Sequence, residues 1–309
     1  MKKIVRFNPS IGTMNKGDEI IANCINAELS FLLNGSYCMD ISTHYPLNND
    51  IYRIIAPFDY KFVYGTNLLR NNLEDAWPID TRVSNVILIG CSWKRETGEI
   101  SSNTKKVLKE ILSTNAIHSV RDSYTLEKLK EIGIENVCNT ACPTMWTLTD
   151  SHTQTIPKTK ARNVITTLTD YKKNVQHDTQ MLDVLLANYE KVYLWLQGIG
   201  DYDYFRKIAS DRKVVLVGPT VSDYERVLIS DDIEYVGTRL HAGVLALVRG
   251  KRTLILGVDE RANNLHCDFG LPVIHREDVC NLERIINGEN IIKLSLPQKA
   301  IMNWRSQFI

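Results

Sequence analysis

The chain has no apolar run long enough to span a bilayer, so no transmembrane helix is expected. Met1-Lys2-Lys3 leads into a short strand and then Asn8-Pro9, which is not the apolar core of a signal segment. Charge of one sign is not in excess. The formal net charge of +1 argues against a nucleic-acid binder that works through a general basic field. The seven cysteines are scattered and odd in number, and no CxxC pair occurs. Cys138 and Cys142 are the closest pair, and no second pair stands at zinc-finger spacing. Reduced thiols in a cytoplasmic protein are the simplest account. His44, His118, His152, His177, His266 and His275 show no ligand spacing, so no metal site is expected. No internal repeat, low-complexity segment or GxGxxG fingerprint is present.

What the chain does have is alternation. Its 309 residues are enough for two domains of ordinary size. Apolar strands at residues 3–7, 60–64, 85–89 and 116–120 alternate with helical patterns at 19–33, 101–112 and 124–132. The polar segment 150–162, with Pro157, reads as a linker. A second series follows, with strands at 163–167, 191–196, 214–217, 233–236 and 253–258. This pattern predicts an α/β protein of two Rossmann-like, doubly wound domains, residues 1–155 and 156–309, with a cleft between them. The apolar end of the chain suits a helix that packs back on one of the domains.

Residues 233–264 carry the most informative placement of charge. A strand ends at Gly237, and Thr238-Arg239-Leu240-His241-Ala242-Gly243 opens a helix. With Thr238 as N-cap, Arg239 takes the first helical position and His241 the third. Helix starts favour acids, yet here a cation and an imidazole stand there. An anion bound at the helix end would reconcile the two. The plainer alternative has Arg239 lying along a surface and His241 satisfied in the core. Asn15-Lys16-Gly17-Asp18 forms a second polar turn after a strand and before a helix, also suited to phosphate. Loop and cap chemistry explains Asn15 and Asp18 equally simply. Asp122 reads first as a helix cap. Trp93, Trp146 and Trp195 read as core or wall aromatics. Gln197 and Asp201, after the strand at 191–196, face the ligand edge or are ordinary loop residues. Arg121 and Arg261 each follow a strand. In open α/β sheets that carboxyl edge is where ligands bind.

Three segments together resemble the polysaccharide pyruvyl transferase family. They are Asn15-Lys16-Gly17-Asp18 before an apolar helix, Ser119-Val120-Arg121-Asp122-Ser123, and Gly237-Thr238-Arg239-Leu240-His241-Ala242 followed by a strand ending in Val258-Asp259. The resemblance implies a GT-B-like arrangement of the two domains. It also implies transfer of pyruvate from phosphoenolpyruvate to a sugar, giving a cyclic ketal. Cys142-Pro143 departs from the family's common Asp-Pro, and Arg261 stands where many members have lysine.

On this reading the C-terminal domain holds the donor, through Arg239, Leu240, His241 and Arg261, with Arg121 contributed by the N-terminal, acceptor-side domain. Asn15, Gly17 and Asp18 would meet the acceptor, a free or lipid-linked saccharide. A lipid-linked acceptor would bring a cytoplasmic enzyme to the inner face of the membrane. No cofactor is needed. Phosphoenolpyruvate carries about three negative charges at neutral pH, and arginine suits planar carboxylate and phosphate recognition. His241 is the natural acid–base group, assisted by Arg239. Asp18 and Asp122 are both candidate bases for the sugar hydroxyl. Two alternatives stay open: a GT-B glycosyltransferase using a nucleotide sugar, and a non-catalytic carbohydrate-binding protein.

Overall fold

Runs of aliphatic and β-branched residues ending in glycine or a polar turn give this chain its strands, and nearly all of them are parallel. A computed structural model describes residues 1–230 and 232–309. Residues fall into two compact units: Met1–Thr13, Ile21–Trp146 and Leu296–Ile309 in the first, Met14–Ile20 and Thr147–Ser295 in the second. The expected linker at 150–162 carries a short helix, Asp150–Gln154, capped by Thr149. The change of unit falls before it. The segment Met14–Ile20, read from sequence as part of the N-terminal domain, groups with the second unit instead.

In the first unit, β1 (Lys3–Asn8), β2 (Tyr37–Ser42), β3 (Tyr60–Tyr64) and β4 (Val86–Ile89) form a parallel sheet in the order β2-β1-β3-β4. Beside it, β5 (His118–Val120) pairs with β6 (Val137–Asn139). Between β4 and β5, side chains take over from the backbone ladder. The amide of Leu88 donates to His118 Nδ1 and that of Gly90 to Ser119 Oγ. The φ of Gly90 is +62°, and a Cβ there would lie 2.2 Å from Pro143 Cδ, so only glycine fits. The last helix, Gln298–Ser306, sets Trp304 and Phe308 against Trp146 and Phe62 of the same unit, and Trp304 Nε1 donates to the Ile117 carbonyl.

His118 gives this unit a titratable core. It is fully buried, accepting from Leu88 and bonded through Nε2 to the Ser113 carbonyl. Burial pushes its imidazole down to about 4, partly offset by the Ser113 contact. The folded state therefore holds His118 neutral, while the unfolded chain protonates it below about 6.5. Stability is full above that value and is lost as pH falls toward 4, by about 3 kcal/mol from this group. Denaturant titrations at pH 7 and pH 4.5 should show the loss, and His118→Gln should remove most of the difference between the two. An unchanged pH dependence in the variant would assign the acid sensitivity elsewhere.

In the second unit, β7 (Asn163–Thr166), β8 (Lys191–Trp195), β9 (Val215–Val217), β10 (Ile233–Gly237), β11 (Thr253–Gly257) and β12 (Val273–His275) form one parallel sheet. Its order is β12-β11-β10-β7-β8-β9. The chain winds outward from β7 to β9, then returns to β10 on the other side of β7. This is the doubly wound Rossmann order, with its switch point between β7 and β10. The helix Leu240–Val248, buried from Leu240 through Leu247, follows β10. Trp195 is core, stacked on Tyr224 at 4.2 Å, and Trp93 and Trp146 are likewise buried with their indole N–H groups bonded.

Candidate active site

The turns after β7 and β10 are joined by a threonine and tyrosine lattice. The Thr238 amide donates to the Thr167 carbonyl at 3.2 Å, and the Arg239 amide to Thr167 Oγ1 at 3.1 Å. Thr169 and Thr238 hydroxyls meet at 2.9 Å, and Tyr235 Oη donates to the Arg239 carbonyl at 2.8 Å. Thr238 is thus spent across the sheet. The N-cap of the following helix is Arg239, one residue later than the sequence suggests, so Leu240 and His241 take the first two helical positions.

Arg239 does not lie along a surface. It is 2% exposed. Nε donates to the Leu168 carbonyl at 2.9 Å, and Nη2 donates to Asp170 Oδ1 at 2.8 Å and to Asp201 Oδ1. Its guanidinium carbon lies 4.9 Å from the centre of the Tyr171 ring. Gly198 makes room for it, since a Cβ there would sit 2.2 Å from Nη2. Asp201, fully buried, also accepts from the Gly198 amide at 2.7 Å and the Asp170 amide at 3.3 Å. One carboxylate thereby ties together the loops after β7, β8 and β10. Burial pushes it up to about 6, against the lowering effect of Arg239.

Arg261, after β11, reaches the same edge. Its guanidinium pairs with Asp259 at 2.5 Å and donates to Tyr171 Oη. Asp259 and Tyr171 hold it charged, overriding the burial that works the other way. Tyr171 is half exposed between the two arginines, with Arg261 5.6 Å from its ring centre.

Asn15 and Gly17 join this edge from the start of the chain. Asn15 bridges to Gly198, the Lys16 amide donates to the Gln197 carbonyl at 2.9 Å, and Gln197 Nε2 donates to Asn15 Oδ1 at 2.7 Å. Asn15 Oδ1 also accepts from the Gly17 amide at 3.2 Å, which opens the helix Lys16–Glu28. Asp18, half-buried, stands in its first turn. His241 and Leu240 are buried at the start of their helix.

The structure thus brings Asn15, Gly17, Asp18, Arg239, Leu240, His241 and Arg261 into one unit. Arg121 lies in the other, after β5, buried, with its amide donating to the Cys91 carbonyl and Nε 3.8 Å from Asp122. Asp122 caps the helix Ser123–Glu131, accepting from the Thr125 amide at 2.8 Å and its hydroxyl at 2.6 Å. Asp170 and Tyr171 escaped the sequence reading. Their only signal was position, one turn past a strand end, shared by every loop on that edge. Among the described residues, no cluster of three or more His, Cys, Asp or Glu could hold a metal ion. No helix there is long and apolar enough to cross a membrane.

The sequence model for polysaccharide pyruvyl transferases matches residues 15–260, which spans the polar turn at Asn15, Arg121 and the Arg239-Leu240-His241 block. The chain belongs to the polysaccharide pyruvyl transferase family. No curated protein sequence matches it. Among solved structures, UDP-GlcNAc 2-epimerase from Neisseria meningitidis, in a crystal structure bound to UDP-GlcNAc, aligns over 99% of this chain and 100% of its own. The TM-score is 0.51 at 13% identity, a likeness of fold alone: two α/β units of the GT-B kind. Membership makes this polysaccharide pyruvyl transferase a transferase with a saccharide acceptor.

Proposed function

We propose that the enzyme moves the pyruvyl group of phosphoenolpyruvate onto a pair of hydroxyls of a polysaccharide or its precursor, closing a pyruvate ketal. The observation that supports this best is the Arg239-Leu240-His241 block at the switch point of the second unit, with Arg261 one strand away. Arg239, Arg261 and the backbone at Leu240 are the proposed donor contacts. Asn15, Gly17 and Asp18 are the proposed acceptor contacts. A sugar hydroxyl oxygen attacks C2 of the enol while His241 delivers a proton to the methylene carbon. The hydroxyl's own proton passes to a base, for which Asp18 is the candidate. A second hydroxyl then displaces phosphate from C2 and closes the ring, its proton restoring His241, while the proton held by the base leaves with phosphate and the arginines hold the departing charge. If the acceptor is lipid-linked, the enzyme works at the membrane surface.

Ligand-dependent melting tests the donor. Phosphoenolpyruvate at about a hundred times its Kd should stabilise the protein by roughly 2.7 kcal/mol, while UDP- and GDP-sugars should not. Stabilisation by a nucleotide sugar with no response to phosphoenolpyruvate would replace this reading with a glycosyltransferase.

A further inference from the structure

The arginines at this edge are not free cations waiting for an anion. Arg239 is held by Asp170 and Asp201, and Arg261 by Asp259. Two guanidinium groups therefore face three carboxylates, and the cluster is net negative when all are ionised. A donor with about three negative charges would be repelled by such a site unless its charge balance changes on binding. We infer that Asp170 and Asp201 act as a paired positioning device, which orients Arg239 and takes up a proton from solvent when an anionic donor binds. This rests on the donor reading above for the identity of the anion, but not for the proton.

The geometry singles out this pair. Both carboxylates accept from the same nitrogen, Arg239 Nη2, and the Asp170 amide also donates to Asp201 Oδ1. Of the two carboxylates that share this donor, Asp201 is fully buried and Asp170 partly exposed, and a like charge beside a buried carboxylate disfavours its ionised form. The groups around them include Tyr235 from β10, the Tyr171 ring over Arg239, and the Arg261–Asp259 pair beyond Tyr171, with His241 two residues after Arg239 in the chain. Arg239 is the cation in direct contact with both carboxylates. Among the described residues, the hydrogen bonds of its guanidinium come from Nε and Nη2. An anion arriving at Arg239 adds its own negative potential at the carboxylates, which favours a proton on the cluster. Burial already pushes the Asp201 carboxyl up to about 6, so it is the member of the pair nearest to taking up a proton.

Calorimetric titration of phosphoenolpyruvate at pH 7, in two buffers of different ionisation enthalpy, measures the protons taken up. The phosphate group's own protonation is common to all variants, so the comparison rests on differences. Wild type should take up more than Asp201→Asn, by up to about one proton per site. Its affinity should fall more steeply between pH 6 and 8, by up to about tenfold per pH unit. Asn keeps an oxygen that can accept from Arg239, so a purely structural role would leave both readouts unmoved. Should Asp201→Asn fail to fold, Asp170→Asn, whose side chain is partly exposed, carries the comparison. If phosphoenolpyruvate does not bind, the donor reading fails, and inorganic phosphate serves as the probe for the same difference. Equal uptake in wild type and both variants, or no binding of either anion, would overturn the inference.

Discussion

His241→Gln should fold normally and keep most of its donor affinity while turnover falls by about 10²–10⁴, the range of a lost general acid–base group. His241 stands at the second position of a helix buried from Leu240 to Leu247, immediately after the Arg239 turn. Its helix follows β10, at the carboxyl edge where ligands bind in open α/β sheets. Its burial also suits a core histidine, and that role predicts the opposite outcome. The melting temperature would drop, and the rate per folded molecule would stay close to wild type. Turnover and thermal melting on one purified variant separate the two. A near-normal rate with a large loss of stability would remove His241 from the mechanism.

Arg239→Ala should be costly twice. On the proposed donor reading, removing the guanidinium strips a charge-assisted contact from the donor, worth roughly 1.5–3 kcal/mol, or about ten- to more than a hundredfold in affinity. It also leaves Asp170 and Asp201 with no cation between them, and breaking a buried pair in this way costs about 3–5 kcal/mol of stability. The two effects can be parted. Arg239→Ala combined with Asp201→Asn removes one stranded charge, so it should melt higher than Arg239→Ala alone without regaining donor affinity. Unchanged affinity for phosphoenolpyruvate in Arg239→Ala, measured by calorimetry, would make the donor assignment wrong. If Arg239→Ala melts like wild type, the ion pairs contribute nothing to holding the loops.

Much of this was readable in the chain because the signals are local. A strand end such as Gly237 and a cap such as Asp122 depend on neighbours within a few residues. The capping of the Arg239 helix was misplaced for an instructive reason. Thr238 is a good cap by type, but its hydroxyl is claimed by Thr167 and Thr169, about seventy residues earlier in the chain. The polar turn at Asn15 was visible as a turn. That it zips onto Gln197 and Gly198 depends on a contact across 182 residues, which no local pattern encodes.

The sequence by itself determined the α/β class, the alternation of most strands and helices, and the three motifs that mark a polysaccharide pyruvyl transferase, while the strands Tyr37–Ser42 and Val273–His275 went unread. Periodicity, caps and motif spacing are properties of adjacent residues, so they survive without a fold. Only the tertiary structure decided the electrostatics. Arg239, Asp170 and Asp201 stand on three loops that meet because β7, β8 and β10 are neighbours in one sheet. Charge acts through space and burial rather than along the chain. A cation that reads as unpaired in one dimension is, in three, already shared between two carboxylates.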